Sequence, residues 1–152
     1  MKIDYQNGQG TGEILWRLGK DGDFRFLSND PYPWFSHQHD AGIDADGLLT
    51  VFDNGNLRYA TDTSAHSRGQ AISLDEVNRT ATLVLNADLG AFSVALGSAQ
   101  KLDNGDYHFN MGFLLDNTAR SVEVDPSGSI VYQLNIGELE YRSFRQTSLF
   151  EP

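Results

Sequence analysis

The sequence contains no cysteine, which excludes disulfides, zinc sites with thiolate ligands and a cysteine nucleophile. Basic residues are also scarce, with 11 Lys and Arg against 21 Asp and Glu and a formal net charge of -10. A chain this acidic repels nucleic-acid phosphates and anionic membrane surfaces, so neither is expected as a partner. No apolar run approaches the roughly 20 residues that a membrane-spanning helix needs.

Helical periodicity is missing as well, because no long segment repeats apolar residues at helical spacing and 15 glycines interrupt the chain. Short runs of strand-forming residues are frequent instead, and they lie at residues 13–18, 48–52, 81–85 and 121–125. The turns between such runs share one chemistry that suits tight hairpins. They are Asp46-Gly47, Asn54-Gly55, Asn104-Gly105 and Pro126-Ser127-Gly128. The pattern predicts an all-β fold.

A repeated strand-turn-strand pattern narrows the choice among all-β architectures. Residues 2–18, 72–85 and 122–134 share a strand ending near Asp, a turn, and a strand with an apolar centre. Such repeats are typical of β-propeller blades. We therefore expect one partial β-propeller over residues 1–152, with about two and a half four-stranded blades. The approximate blades are 1–20 (outer strands of a first blade), 36–88, 96–136 and 139–147 (one strand of a further blade).

Two further expectations follow from this strand pattern, one about a competing fold and one about assembly. A β-sandwich with irregular loops is the competing fold for strands at this spacing. Because a propeller needs at least about four blades to close, an open partial ring leaves unpaired blade edges. Those edges predict a homo-oligomer formed by edge-to-edge pairing.

The segment His-Gln-His-Asp at residues 37–40 is the first candidate site. His37 and His39 stand two residues apart, so their imidazoles point the same way if the segment is extended. A metal site would need further ligands, and no spacing marks a set among the available side chains. Those side chains are Asp40, Asp44, His66 and His108. A structural histidine and a functional histidine both remain open on these grounds, and no metal is assigned.

Residues 51–58, Val-Phe-Asp-Asn-Gly-Asn-Leu-Arg, form the second cluster, followed by Ser-Arg-Gly at residues 67–69. By composition, Phe-Asp-Asn-Gly predicts an ordinary hairpin turn. Arg58 is then either a solvated surface charge or a planar fork for sulfate or phosphate oxygens.

Together, the order and spacing of these motifs resemble the arylsulfotransferase family. The resemblance includes Trp-Arg-Leu-Gly at 16–19, the segments at 97–105 and 141–145, and the two clusters above. It implies a six-bladed propeller that moves a sulfuryl group from an aryl sulfate to a phenol through a sulfohistidine, with neither cofactor nor nucleotide donor. It further implies a periplasmic or extracellular location for a full-length protein; the residues themselves indicate no compartment.

By this resemblance His39 matches an active-site histidine and Arg58 an arginine that holds sulfate oxygens. Imidazole can act as a nucleophile or proton carrier near neutral pH. The resemblance also suggests substrate contacts from a further set of residues. These are His37, Arg68, Tyr141 and Arg142.

Glu140 departs from the family pattern, because the residue before Tyr-Arg is the sulfurylated histidine in that pattern. A carboxylate repels sulfate, so the competing hypothesis is a non-catalytic propeller that binds a small anion, a carbohydrate or a protein. For either hypothesis, we expect the 152-residue chain alone to be weakly active or inactive.

Overall fold

The structure is a computed structural model that describes residues 1–146 and 148. Within that part the regular secondary structure is β-strand, apart from one short helix. In chain order the strands are β1 (Lys2–Ile3), β2 (Ile14–Trp16), β3 (Arg25–Phe26), β4 (His39–Ile43), β5 (Leu49–Asp53), β6 (Arg68–Asp75), β7 (Thr80–Asp88), β8 (Ser93–Ala95), β9 (Ser98–Lys101), β10 (Tyr107–Met111), β11 (Phe113–Leu114), β12 (Ala119–Val124) and β13 (Ile130–Ile136), and helix α1 is Asn56–Tyr59. The predicted all-β class is confirmed.

Two larger sheets dominate the fold. The first has the order β3-β7-β6-β5-β4, in which β4 to β7 form an antiparallel meander and β3 adds to β7 in parallel. The second has the antiparallel order β13-β12-β10-β9. Two further pairs, β1-β2 and β8-β11, are separate small sheets. None of these sheets closes on itself.

The main core lies between the two larger sheets. Phe52 and Leu85 of the first sheet meet Phe109 and Val122 of the second in one buried cluster. Gly69 makes this contact possible, since a Cβ there would lie 2.2 Å from Cε2 of Phe109. A second cluster covers the opposite face of the first sheet, where Phe24, Val51, Ile72 and Ala81 are buried. The first sheet is therefore covered on both faces.

Strand positions follow the sequence pattern closely, and two segments differ from it. The Phe-Asp-Asn-Gly segment is not a hairpin turn: Gly55, with φ 78°, starts helix α1 instead. Residues 139–146 contain no strand, because this segment bonds to β9 largely through the side chains of Ser98 and Gln100. The last residue of that expected strand, Thr147, lies outside the described residues. Among the described residues, no helix is long and apolar enough to cross a membrane.

Candidate functional site

His39 opens β4 at an irregular point of the first sheet. Its partner on β5 is Phe52, but the next paired residues are Gly42 and Thr50, so β4 carries an extra residue here. The backbone at Asp40 has a positive φ of 53°, and His37 just before the strand has the same value. Such bulges and left-handed non-glycine residues re-aim side chains, and they concentrate at functional sites.

Asn54 fixes the tautomer of His39. The Asn54 amide nitrogen donates to the carbonyl oxygens of Ser93 and Leu96 over 3.0 and 3.2 Å. This orientation turns Asn54 Oδ1 toward His39 Nδ1, 2.7 Å away. Because an amide oxygen can only accept, Nδ1 must carry the hydrogen. The neutral imidazole therefore presents an unprotonated Nε2, the atom that a nucleophile or a general base needs.

Asp40, directly after His39, joins the C-terminal segment to the same site. Its Oδ1 accepts from Arg142 Nη1 over 2.9 Å and its Oδ2 accepts from the Ala99 N–H over 3.1 Å. The Arg142 guanidinium also lies over the ring of Tyr141, 5.2 Å from the centroid. The structure thus brings Tyr141 and Arg142 to the strand that carries His39, more than one hundred residues away in sequence.

Arg58 and Arg68 meet instead at Asp53, whose side chain is fully buried. Asp53 Oδ2 accepts from Arg58 Nη2 at 2.8 Å and from Arg68 Nε at 3.1 Å, while Oδ1 accepts from the Ser36 N–H at 2.8 Å. Arg58 Nη1 donates to the His66 carbonyl at 2.9 Å. Both cations are therefore structural partners of one buried carboxylate.

Asp30 completes this ion network on the outer side. It accepts from Arg68 Nη1 at 2.8 Å and from the Asn86 amide at 3.0 Å. Burial pushes the pKa of Asp30 upward, but the Tyr32 N–H, the charge of Arg68 and the Asn86 amide outweigh it and hold the pKa below its ordinary value. Arg68 is thus fully engaged by protein groups, which leaves it poorly placed for a substrate.

His37 and Glu140 lie in contrasting surroundings. The side chain of His37 is exposed to solvent. Glu140 is half-buried, its N–H donates to the Gly112 carbonyl at 3.0 Å, and its Oε2 is buried with no hydrogen-bond partner among the described residues. Burial raises the pKa of Glu140. A carboxyl in this position favours its neutral form more than an exposed one does.

Two cavities adjoin these residues. One of about 450 Å³ is bordered by Tyr32, Trp34, Phe35 and Arg58, a largely aromatic wall beside a cation. Another of about 570 Å³ lies at Gln38 on the approach to β4. Both volumes are within the range of small-molecule sites. No group of three or more His, Asp or Glu side chains that could hold a metal ion occurs in the described part of the chain.

The sequence did not single out Asn54 or Asp53 as site residues. Both belong to a segment whose composition is typical of a turn, and only their burial and long-range partners reveal their roles. It also missed the role of His108, which is buried and bonds to Ser143. A histidine in the middle of a strand-forming run was the available signal, but its partner lies 35 residues later.

Comparison with known proteins supplies the remaining evidence. The sequence model of a protein family described as "Arylsulfotransferase (ASST)" matches residues 1–146. Comparison with individual curated proteins gives no significant match. The family match covers nearly the whole chain and includes every candidate residue above. The chain therefore belongs to the arylsulfotransferase (ASST) family.

Proposed function

We propose that this chain carries part of a site for sulfuryl transfer from an aryl sulfate to a phenol, with His39 as the nucleophile, since Glu140 stands where the family pattern has the sulfurylated histidine. One observation carries the proposal: His39 Nδ1 bonds to Asn54 Oδ1, so the neutral imidazole has its hydrogen on Nδ1 and its lone pair on Nε2. Membership of the arylsulfotransferase family supplies the substrate class.

The proposed reaction has two displacements at sulfur. The Nε2 lone pair of His39 attacks the sulfur, the bond from sulfur to the aryl oxygen breaks, and the aryl oxide leaves and takes up a proton from water. A phenol then gives its proton to water and attacks the same sulfur, which breaks the N–S bond and restores the lone pair. Splitting one difficult transfer into two easier ones is the general advantage of covalent catalysis.

Arg58 is the proposed contact for sulfate oxygens. Its bonds to Asp53 and to the His66 carbonyl use one hydrogen on each terminal nitrogen, so a second hydrogen remains on each. Arg58 also borders the aromatic cavity that contains Trp34 and Phe35. We propose that this cavity takes the aromatic ring. Tyr141, Arg142 and His37 stay predicted substrate contacts, whereas Arg68 is committed to Asp53 and Asp30.

The test is turnover of an aryl sulfate with a phenol acceptor by the protein and by its His39→Ala variant. His66→Ala is the matched control, because His66 is an exposed histidine that bonds to Asp88. We expect the wild-type chain to be weakly active, His39→Ala to abolish that transfer and His66→Ala to retain it. A sulfurylated histidine found by mass spectrometry at position 39 identifies the nucleophile. Equal activity in wild type and His39→Ala contradicts the proposal.

A binding module without turnover is the second candidate, favoured by one observation: Asp53 already pairs with both Arg58 and Arg68. Arg58 and Arg68 already share the negative charge of Asp53. We therefore expect them to suit weak binding of an anion better than stabilisation of the charge on a sulfuryl group during its transfer. Calorimetry with phenyl sulfate separates the two functions. Binding without any sulfuryl transfer supports the module, and detection of a sulfurylated histidine excludes it.

We further propose that the two larger sheets are blades of an incomplete propeller. Each contains a run of four antiparallel strands, and β4 and β9, at corresponding edges, lie close together. The outer edge strand β13 leaves Val131 and Leu134 exposed. Such an edge favours pairing with a second copy, so we expect concentration-dependent association, measured by light scattering, that Val131→Lys weakens.

A further inference from the structure

Residues 140–145, here called the strap, lie over the face of the second sheet that carries the Ser98 and Gln100 side chains, without forming a regular ladder. The Ser98 hydroxyl donates to the Ser143 carbonyl at 2.6 Å and accepts from the Ser143 N–H at 3.3 Å. The Gln100 amide bonds in the same two-way manner to the Arg145 backbone, at 3.0 and 2.8 Å. The side chains of Ser98 and Gln100 therefore bond to the backbone of the strap in the way that a neighbouring strand would.

The surface beneath the strap is polar although it is buried. In β10, Tyr107, Phe109 and Met111 join the main core, so the alternate residues His108 and Asn110 face the other side of the sheet. Both are buried, and so are their neighbours Ser121 and Glu123 on β12. A polar surface of this kind gains little hydrophobic stabilisation from its cover. Hydrogen bonds must therefore hold the strap in place.

His108 is the buried centre of those hydrogen bonds. Its Nε2 lies 2.9 Å from Ser143 Oγ, which in turn lies 2.8 Å from Ser121 Oγ. Its Nδ1 lies 3.4 Å from Glu123 Oε1, an ion-pair distance that lacks hydrogen-bond geometry. Neutral imidazole accepts the Ser143 hydroxyl hydrogen at Nε2 and keeps its own hydrogen at Nδ1, facing the carboxylate.

Taken together, burial and the charged groups around His108 disfavour its protonated form. Gln100 faces it from β9 and is neutral, while Glu123 faces it from β12. That carboxylate is already bonded to Arg145 of the strap at 3.0 Å, and Arg145 lies over the ring of Tyr132 on β13. Burial lowers the pKa of His108, the carboxylate raises it, and the nearby guanidinium lowers it again, with a net lowering.

We propose that neutral His108 is a positioning residue that holds the strap on the sheet, and that protonation of its imidazole releases the strap. The consequence for the candidate site is direct, because the strap carries Arg142 to Asp40 beside His39. This last step rests on the proposed function. The proposal that His108 holds the strap on the sheet does not depend on the proposed function.

The difference in the His108 pKa between the docked and the undocked strap sets the sign and the upper limit of the pH effect. The docked strap buries His108 and disfavours the charged imidazole, whereas an undocked strap exposes it and restores an ordinary pKa near 6.5. The docked form is therefore stable above that value and loses stability as the pH falls below it. Between about pH 7.5 and 5.5, the population with an undocked strap should rise, by at most about tenfold.

Hydrogen exchange of the peptide over residues 140–146 tests this, with rates corrected by those of the same peptide free in solution. We expect the protection of wild type to fall between about pH 7.5 and 5.5, by at most about tenfold. His108→Gln, a neutral side chain that can accept from Ser143, should show no such fall. His66→Gln, at an exposed histidine bonded to Asp88, should behave as wild type does. Ser143→Ala should weaken protection at both pH values.

Protection that does not change with pH in wild type would overturn the inference. So would an equal loss in His108→Gln and wild type. If His108→Gln does not fold, Ser143→Ala decides the docking role, because unchanged protection in that variant contradicts it. A lack of sulfuryl transfer by wild type counts against the proposed function alone, since exchange is measured without substrate.

Discussion

His39 donates its Nδ1 hydrogen to Asn54 Oδ1 across 2.7 Å, and the two residues come from neighbouring strand ends of one sheet. Asn54 is fully buried and its amide nitrogen is committed to two backbone carbonyls. The orientation of the imidazole is thus set by the core and not by solvent. In this respect Asn54 plays the part that a carboxylate or carbonyl often plays behind a working histidine.

Replacing Asn54 by Ala should reduce both stability and any activity of His39. The variant leaves the carbonyls of Ser93 and Leu96 without their donor, which costs about 1–3 kcal/mol of unfolding free energy. Urea denaturation measures this cost. Asn56→Ala is the control, since Asn56 makes one bond, to the Val94 carbonyl, and should cost less. Equal losses in the two variants would contradict the assigned role.

Replacing Asp53 by Asn should destabilise the protein strongly. Two guanidinium groups, on Arg58 and Arg68, would lose their shared buried carboxylate, and breaking a buried ion pair costs about 3–5 kcal/mol. Chemical denaturation at neutral pH checks this expectation. Asp46→Asn, at a largely exposed carboxylate bonded to Lys101, should change the unfolding free energy by less than about 1 kcal/mol. A small effect at Asp53 would show that the network is dispensable.

Replacing Glu140 by Gln should stabilise the protein at neutral pH. Burial raises the pKa of Glu140 in the folded state, so its contribution is greatest at low pH and is lost as the pH rises through that raised value. Gln stays neutral throughout, and its advantage in melting temperature should therefore grow as the pH rises from about 4 to about 7.5. The exposed Glu138 is the control, and Glu138→Gln should show no such growth.

Replacing Gly69 by Ala should disrupt the contact between the two larger sheets. The added methyl group would collide with the ring of Phe109, since its position is 2.2 Å from Cε2. Overpacking of this kind costs about 1–3 kcal/mol. Gly137→Ala is a matched control because a Cβ there meets no atom within 4 Å. Thermal melting of both variants provides the comparison, and a neutral Gly69→Ala would contradict the close approach.

Much of the fold could be predicted because strand formation here is local. The alternating segment lies within β12 up to residue 124, and the run of strand formers over 81–85 lies within β7. The two exceptions have non-local causes. The Asn54-Gly55 segment leaves the hairpin pattern because Asn54 bonds residues some forty positions later. The expected strand near residue 141 is absent because polar side chains of β9 hold that segment instead.

The candidate site divides in the same way. Residue types and their order in the sequence determined the all-β class, the family, and His39 as the histidine of interest. Only the tertiary structure decided that Arg58 and Arg68 share Asp53, that Arg142 reaches Asp40, and that Asn54 orients the imidazole. The physical reason is that strand propensity and turn chemistry act between neighbours along the chain. Burial, ion pairing and the choice of tautomer depend on partners that meet only when the sheets pack.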